Sequence, residues 1–214
     1  MGKFRQGING PFSGKVGTVV GSTWIGMPVM RSLPSPRTKP FSPLELQQQA
    51  KFSMLSKFLR PLIPLLNQTF SPVAVRMTGF NKAFSYNVKN AITGVHPSLT
   101  MDYSMVLLGR GDLPQAVSPA AASPIAGRLD FTWTDNSGKG RALPTDKAFA
   151  AAYNEEMDRW IYELNLADRS AGTCSLDLKL FPGKPVHTYM GFISADGKDV
   201  ADSVYTGLVN VKPV

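Results

Sequence analysis

The second half of the chain contains six short strand-like segments separated by turn signals, and the period-two alternation of apolar and polar residues among them constrains the fold more than any other feature. In residues 173–180 every second residue is apolar. Such alternation is typical of a strand with one buried and one solvated face. Turn signals such as Pro182-Gly183 and Asp196-Gly197 separate the segments. The predicted strands are residues 129–134, 148–153, 159–166, 173–180, 186–194 and 203–211.

This spacing predicts an antiparallel β-sandwich of immunoglobulin-like type. The chain has one cysteine, so it lacks the Cys…Trp…Cys framework of a true immunoglobulin domain. Residues 99–107 also alternate and predict a further strand, whereas residues 112–124 are rich in proline and alanine and predict a connector. We expect an α+β fold, because helical signals precede these strands.

A helix is predicted to begin at Ser42-Pro43-Leu44-Glu45, which combines an N-cap residue, a proline at the first helical position and a glutamate three residues after the cap. Pro61 and Pro64 should end or kink it. A shorter helix is predicted over residues 82–92, followed by a turn at residues 94–97. The residues that recur mostly at three- and four-residue steps, and so predict the buried helix face, are Leu44, Phe52, Leu55, Leu59 and Leu62.

Residues 1–40 are rich in glycine, proline, lysine and arginine. Residues 15–20 and 23–31 predict a β-hairpin turning at Gly21-Ser22, with Trp24, Val29 and Met30 as its apolar face. The proline-rich segment (residues 33–40) predicts an extended linker or an arm that docks on another surface. We therefore predict an arm, hairpin and helical segment over residues 1–98, followed by the sandwich over residues 99–214.

Charge is divided unequally along the chain. Through Arg110 there are 13 lysines and arginines against Glu45 and Asp102, whereas the remainder has 10 basic and 13 acidic residues. A basic half beside a mildly acidic half indicates contact with a polyanion or with an acidic neighbouring subunit. The candidate contacts, basic residues mixed with an aromatic one, are Lys3, Arg5, Lys15, Trp24, Arg31, Arg37 and Lys39.

No motif predicts catalysis, a metal site or a cofactor. Residues 9–16 depart from a phosphate-binding loop, which requires glycine where Asn9 stands and serine or threonine where Val16 stands. One cysteine and two distant histidines, His96 and His187, make a zinc site unfavourable. The integrin-type tripeptide at residues 110–112 falls where glycine is natural between a strand and a loop. We also expect no membrane span and no classical signal peptide, with synthesis in the cytoplasm.

Five stretches of the sequence form a recognisable series, in this order: FSGKVGTVVGSTWIG, SPLELQQQAKF, LLGRGDLP, LDFTWTDNSG and FISADGKDVADSVYTG. Together they resemble a domain-of-unknown-function family of short proteins abundant in Bacteroidota genomes and their mobile elements. The resemblance covers nearly the whole chain. It implies a basic glycine-rich leader, a helical segment and a C-terminal β-sandwich, and it supplies no activity or catalytic residues.

These observations favour a non-enzymatic structural protein that binds copies of itself through its N-terminal arm and oppositely charged halves. Such a protein would be a component of a virion, a phage-like particle or a filament, inside the particle or in an extracellular assembly. The alternative is a nucleic-acid-binding or packaging protein that uses the basic half. A third interpretation is a carbohydrate- or protein-binding module with Trp133, Trp160 or Tyr162 as an exposed contact.

Overall fold

The computed structural model describes residues 2–3, 12–24 and 26–213, the first two by their backbone alone. The chain forms two compact units, Met1–Ser42 and Pro43–Val214. The predicted boundary between residues 98 and 99 therefore lies inside the second unit. The physical reason is that the helical segment and the sandwich share one hydrophobic core.

The first unit contains a small antiparallel sheet with the strand order β1-β4-β3-β2. The predicted turn at Gly21-Ser22 is wrong, because both residues lie within β3, and the chain turns instead after Val16. Gly21 is required for close packing: a Cβ there would lie 2.3 Å from the carbonyl oxygen of Phe12. The strands are β1 (Gly2–Lys3), β2 (Gly14–Val16), β3 (Val19–Trp24) and β4 (Met27–Ser32).

The second unit contains the predicted immunoglobulin-like β-sandwich, and each of the six predicted segments contains a strand. A four-stranded sheet has the order β10-β9-β12-β13, and a three-stranded sheet has the order β11-β8-β7. All pairings are antiparallel. The strands are β7 (Val117–Ala122), β8 (Arg128–Thr134), β9 (Lys147–Asn154), β10 (Arg159–Glu163), β11 (Thr173–Asp177), β12 (Pro185–Ile193) and β13 (Val204–Asn210).

The four-stranded sheet is covered on both faces. On one face, Ala148, Ala150 and Ala152 of β9 belong to the core between the two sheets. On the other face, Phe149 and Tyr153 belong to a second core that the helices complete. Because successive residues of a strand point to opposite faces, a strand buried on both sides is apolar almost throughout.

Three helices cover the outer face of that sheet: α1 (Pro43–Leu59), α2 (Ile63–Thr69) and α3 (Gly79–Asn90). The predicted start of α1 at Pro43 is confirmed, and a 3-10 turn (Arg60–Leu62) containing Pro61 ends the helix. Helix α3 begins three residues before the predicted start at residue 82, and sequence patterning missed α2 as a separate helix. The predicted turn at residues 94–97 joins β5 (Ile92–Val95) to β6 (Ser98–Met101).

The predicted helix face is correct in its second half only. Leu55, Leu59 and Leu62 are fully buried, whereas Leu44 is 74% exposed and Phe52 is 60% exposed. Leu44 lies in the first turn of α1, where every residue from Pro43 to Leu46 is exposed. Helical periodicity identifies a face, but the face is buried only where another element packs against it.

Two further strand predictions were wrong. The segment expected to be a connector contains β7, whose small residues conceal alternation and whose pairing with β8 shifts register between Val117 and Ala120. The alternation over residues 99–107 predicts too long a strand, because β6 ends at Met101. Further along the chain, buried Asn87 donates its side-chain N–H to the Leu107 carbonyl and accepts from the Leu107 N–H with its side-chain oxygen. The backbone of Leu107 is therefore hydrogen-bonded without a neighbouring strand.

Candidate functional site

The N-terminal sheet collects three of the predicted contact residues on one face. In the strand register Lys15 lies opposite Val20, and Val20 lies opposite Arg31. Directly opposed residues of antiparallel strands share a face, as do alternate residues of one strand. Trp24, four residues after Val20, is therefore on the same face. We call this surface, comprising Lys15, Val20, Trp24, Val29 and Arg31, the basic face.

The N-terminal unit leaves large apolar side chains exposed, and Trp24 is the one among those that define the basic face. Val29 is 4% exposed and is the one hydrophobic side chain buried among residues 12–24 and 26–42, whereas Trp24 is 47% exposed. Met30 lies on the opposite face from Val29, which corrects the prediction that both belong to one apolar face. The other large hydrophobic residues exposed in the described part of this unit are Val16, Met27, Met30, Leu33 and Phe41.

The remaining predicted contacts lie at the ends of this unit or outside the described residues. Lys3 pairs with Val29 through the backbone of β1, and Arg5 lies outside the described residues. Arg37 and Lys39 are exposed in the proline-rich segment. The Arg37 guanidinium donates to the carbonyls of Lys39 and Pro40 at 2.7 and 3.2 Å and lies 4.0 Å from the centre of the Phe41 ring.

A groove in the second unit is the other candidate surface, and sequence analysis did not predict it. It has a volume of about 590 Å³ and lies where α1, the β5–β6 hairpin and the turn between β9 and β10 meet. Aromatic and acidic side chains dominate its lining. We call it the aromatic groove, and its residues are Met54, Lys57, Phe58, Leu99, Thr100, Met101, Tyr103, Tyr153, Glu155 and Asp158.

The aromatic rings of the groove are held in fixed positions by polar contacts. The Tyr153 hydroxyl donates to Asp158 Oδ1 at 2.9 Å, and Lys57 Nζ lies 2.5 Å from Asp158 Oδ2. These contacts lower the pKa of Asp158, mainly through the Lys57 hydrogen bond. Below them the Trp160 indole N–H donates to the Phe58 carbonyl at 2.9 Å, which ties β10 to α1. The groove therefore presents a preorganised surface.

The two tyrosines of the groove, Tyr103 and Tyr153, have protonation properties that suit binding better than acid–base catalysis. Burial, together with the charge and hydrogen bond of Glu155, raises the pKa of Tyr103 to about 12. Burial and the hydrogen bond to Asp158 also raise the pKa of Tyr153. Both phenols therefore stay protonated at neutral pH, so they are hydrogen-bond donors and poor general bases.

His187 lies beside the groove, under Tyr103. The two rings stack with centroids 3.9 Å apart, and His187 Nδ1 lies 2.8 Å from the Tyr205 hydroxyl. Burial lowers the pKa of His187, with Glu155 acting in the opposite direction. His187 was predicted to point outward if Val186 pointed inward, and His187 does lie on the face of the sheet that is turned away from the core between the two sheets. The helices cover that outer face, so the side chain is half-buried.

Trp133 is not an exposed binding residue. It is 6% exposed and its indole N–H donates to the Arg169 carbonyl at 2.7 Å. Arg169 is itself fully buried and binds Asp146 Oδ2, Asn136 Oδ1 and the Pro114 carbonyl at 2.7–3.0 Å. This cluster joins loops of the sandwich and has a structural role. Trp160 and Tyr162, the other two aromatic candidates, are half-buried.

The remaining motifs are explained by packing. Gly111, in the tripeptide at residues 110–112, lies so close to Val200 that a Cβ would approach its carbonyl oxygen to 2.3 Å. Cys174 is buried, and burial raises its pKa to about 12. Within residues 12–24 and 26–213, no three His, Cys, Asp or Glu side chains are grouped to hold a metal ion. None of the helices in this part of the chain is long and apolar enough to cross a membrane.

Comparison with protein-family models matches residues 11–207 to a family of unknown function. The chain belongs to this family, DUF6266. A search of curated proteins finds no match. The resemblance inferred from the sequence, to a family of unknown function, is thus confirmed.

The solved structures that this chain matches include fibronectin type III domains. The fn3 domain of human collagen alpha-1(XX) chain is 11% identical, with a TM-score of 0.37, covering 50% of this chain and 91% of that domain. The FN1–FN3 domains of chicken CNTN1 are 12% identical, with a TM-score of 0.39, covering 54% of this chain and 37% of that one.

Proposed function

We propose that this protein is a non-enzymatic structural subunit that self-assembles into a particle or filament, such as a virion component. The N-terminal unit of one copy binds residues 43–214 of another. One observation carries the proposal: a small, wholly basic sheet keeps Trp24 and other large apolar side chains exposed. An arm that binds a different surface on the next copy gives a head-to-tail contact, which builds rings or filaments.

The size of the N-terminal unit supports a partner. Domains of about 40 residues rarely fold without disulfides, metals or oligomerisation, because they bury too little surface. This unit has 42 residues and no cysteine. Its sheet has Val29 as the one buried hydrophobic side chain in residues 12–24 and 26–42. Covering the basic face with another subunit would supply the missing apolar burial.

Charge supports the same partner. Residues 1–42 contain six lysines and arginines and no acidic residue, whereas residues 43–214 contain 15 acidic and 17 basic residues, so every acidic group of the chain lies in the larger unit. Opposite charge on two surfaces steers them together and disfavours wrong pairings. A second copy of the chain therefore offers acidic groups to the basic unit.

Light scattering over a concentration series tests this proposal. We expect the mean mass of the full chain to rise with concentration at low salt. It should fall as salt screens the exposed charges. Electron microscopy of the associated material should show a regular repeat. A constant monomer mass at high concentration and low salt would contradict self-assembly.

Nucleic acid is a second candidate partner, favoured by the placement of Lys15, Arg31 and Trp24 on one face. Basic side chains bind phosphates and an exposed indole stacks on a base, worth about 1–3 kcal/mol per stacked base. Titration with a single-stranded oligonucleotide should then show an affinity that falls steeply with salt and is weakened by Trp24→Ala. Absent or salt-independent binding would remove this candidate.

A further inference from the structure

The proline-rich segment is shaped for binding to a groove. Three of its eight residues are prolines, which hold the backbone φ near −65° and favour an extended conformation. Residues 33–40 form neither helix nor strand, and every one of them is exposed. An extended segment that is already restricted loses little conformational entropy when it binds.

The aromatic groove has the chemistry that recognises such a segment. Of the three aromatic residues that line the groove, Tyr103 is half-buried, whereas Phe58 and Tyr153 are each 5% exposed. Proline-rich segments bind to grooves lined by aromatic side chains, and here a proline ring would pack against the accessible part of Tyr103.

Charge is complementary as well. The segment carries Arg37 and Lys39 and no acidic residue. At the groove, Lys57 pairs with Asp158, whereas Glu155 is hydrogen-bonded to Tyr103 and keeps a carboxylate charge that an incoming cation can meet. Glu155 is exposed, which lets a long basic side chain reach it.

We propose that the aromatic groove binds the proline-rich segment of a second copy of this chain, an inference that rests on the self-assembly proposed above. The groove's α1 residues, Met54 to Phe58, begin about 16 Å along the helix from Pro43. The segment is joined to Pro43 by two residues, so it could enter its own groove only by reversing direction at once. The segment of another copy has no such restriction.

Cysteine crosslinking between two differently tagged full-length chains tests the contact. One chain carries Ser35→Cys in the segment and the other carries Thr100→Cys in the groove. The native Cys174 is buried and should not react. A short bifunctional maleimide should then give a crosslinked species that contains both tags. The matched control replaces Thr100→Cys with Ser170→Cys, an exposed residue outside the groove, and should give little of it.

Charge reversal gives a second readout on the full chain. Glu155→Lys should weaken association about tenfold, the effect of losing one ion pair and gaining a like-charge contact. Arg37→Glu should do the same, and combining both should restore most of the affinity. The matched control is Glu156→Lys, because Glu156 is the next residue and pairs with Lys184, which does not line the groove. It should leave association unchanged.

The outcomes separate this inference from the proposed function. A wild-type chain that stays monomeric overturns both. A wild-type chain that associates, with no crosslink and with Glu155→Lys indistinguishable from Glu156→Lys, overturns the groove contact and leaves self-assembly intact. Crosslinking confined to a single chain that carries both new cysteines shows that the segment binds its own groove, which contradicts a second copy. The inference is also overturned if no crosslink to the segment forms and an added oligosaccharide slows the reaction of the Thr100→Cys thiol with maleimide, because the groove would then bind a carbohydrate.

Discussion

The two compact units of this chain differ in how completely they bury their apolar side chains. Residues 43–214 bury both faces of a four-stranded sheet, one under a second sheet and one under three helices. The N-terminal sheet, in contrast, leaves apolar residues exposed among lysines and arginines. The comparison indicates that the larger unit completes its own cores, whereas the smaller one would gain apolar burial from the partner that we propose.

Removing the N-terminal unit should have the largest effect. A chain that begins at Pro43 keeps every residue of both cores, so we expect its circular dichroism and thermal transition to stay close to those of the full chain. Its association should be abolished, because the basic face and the proline-rich segment are gone. Light scattering and a thermal melt on the same sample check both points. An unfolded truncated chain would show instead that residues 1–42 contribute to the core.

Within the larger unit, Asp146→Ala should be strongly destabilising. Asp146 and Arg169 are both fully buried, and the substitution leaves the arginine charge buried without its partner. Loss of one partner of a buried pair typically costs about 3–5 kcal/mol. Urea unfolding should show this as a lower midpoint.

Asp168→Ala is the matched control for that experiment. Asp168 pairs with Lys147, but both side chains are more than a third exposed. Exposed ion pairs contribute about 0–1 kcal/mol, so the urea midpoint should change little. Equal losses for the two variants would contradict a structural role specific to the Arg169 cluster.

Sequence patterning predicted the sandwich better than the N-terminal sheet, for a physical reason. A strand with one face in a core alternates between apolar and polar residues, and residues 173–177 do so. Gly21 instead occupies a strand because Phe12 packs against it, and glycine in a sequence is more readily interpreted as a turn. Strand β7 was missed because serine, proline and alanine show no contrast between its two faces.

The helix α1 offers a test of burial within one element. Leu55→Ala should cost about 2–5 kcal/mol, since Leu55 is fully buried in the core beneath the helices. Leu44→Ala on the same helix should change stability by about 0.5 kcal/mol or less, because Leu44 is 74% exposed. Urea unfolding of the two variants checks the difference. A large loss for Leu44→Ala would show that the first turn of α1 is packed in solution.

The aromatic groove could not be predicted because its residues come from separate parts of the chain. Met54 and Phe58 lie on α1, Tyr103 follows β6, and Tyr153 is the penultimate residue of β9. A usable signal was nevertheless present. Residues 148–153 are apolar without alternation, which is typical of a strand covered on both faces and implies a second layer over the sandwich. Which aromatic residues meet in that layer depends on helix packing, and no local pattern encodes it.

The smallest expected effect concerns pH and compares His187 with His96. Burial lowers the pKa of His187 in the folded chain below the ordinary value of 6.5. The unfolded chain therefore binds a proton first as the pH falls, and the stability from this group is lost between pH 6.5 and the lower folded value. Glu155 moderates the loss, because its charge favours protonation of His187.

Urea unfolding at intervals from about pH 7.5 to about pH 5 should show stability decreasing through that window. His187→Gln should reduce this slope, since glutamine does not titrate and can still bond to Tyr205. His96→Gln, at an exposed position in the turn between β5 and β6, should leave the slope as it is. If both variants keep the wild-type slope, the titrating groups lie elsewhere and the environment of His187 resembles water. If His96→Gln alone removes the slope, the pH dependence of stability comes from the turn between β5 and β6 and not from the covered face of the sheet around His187.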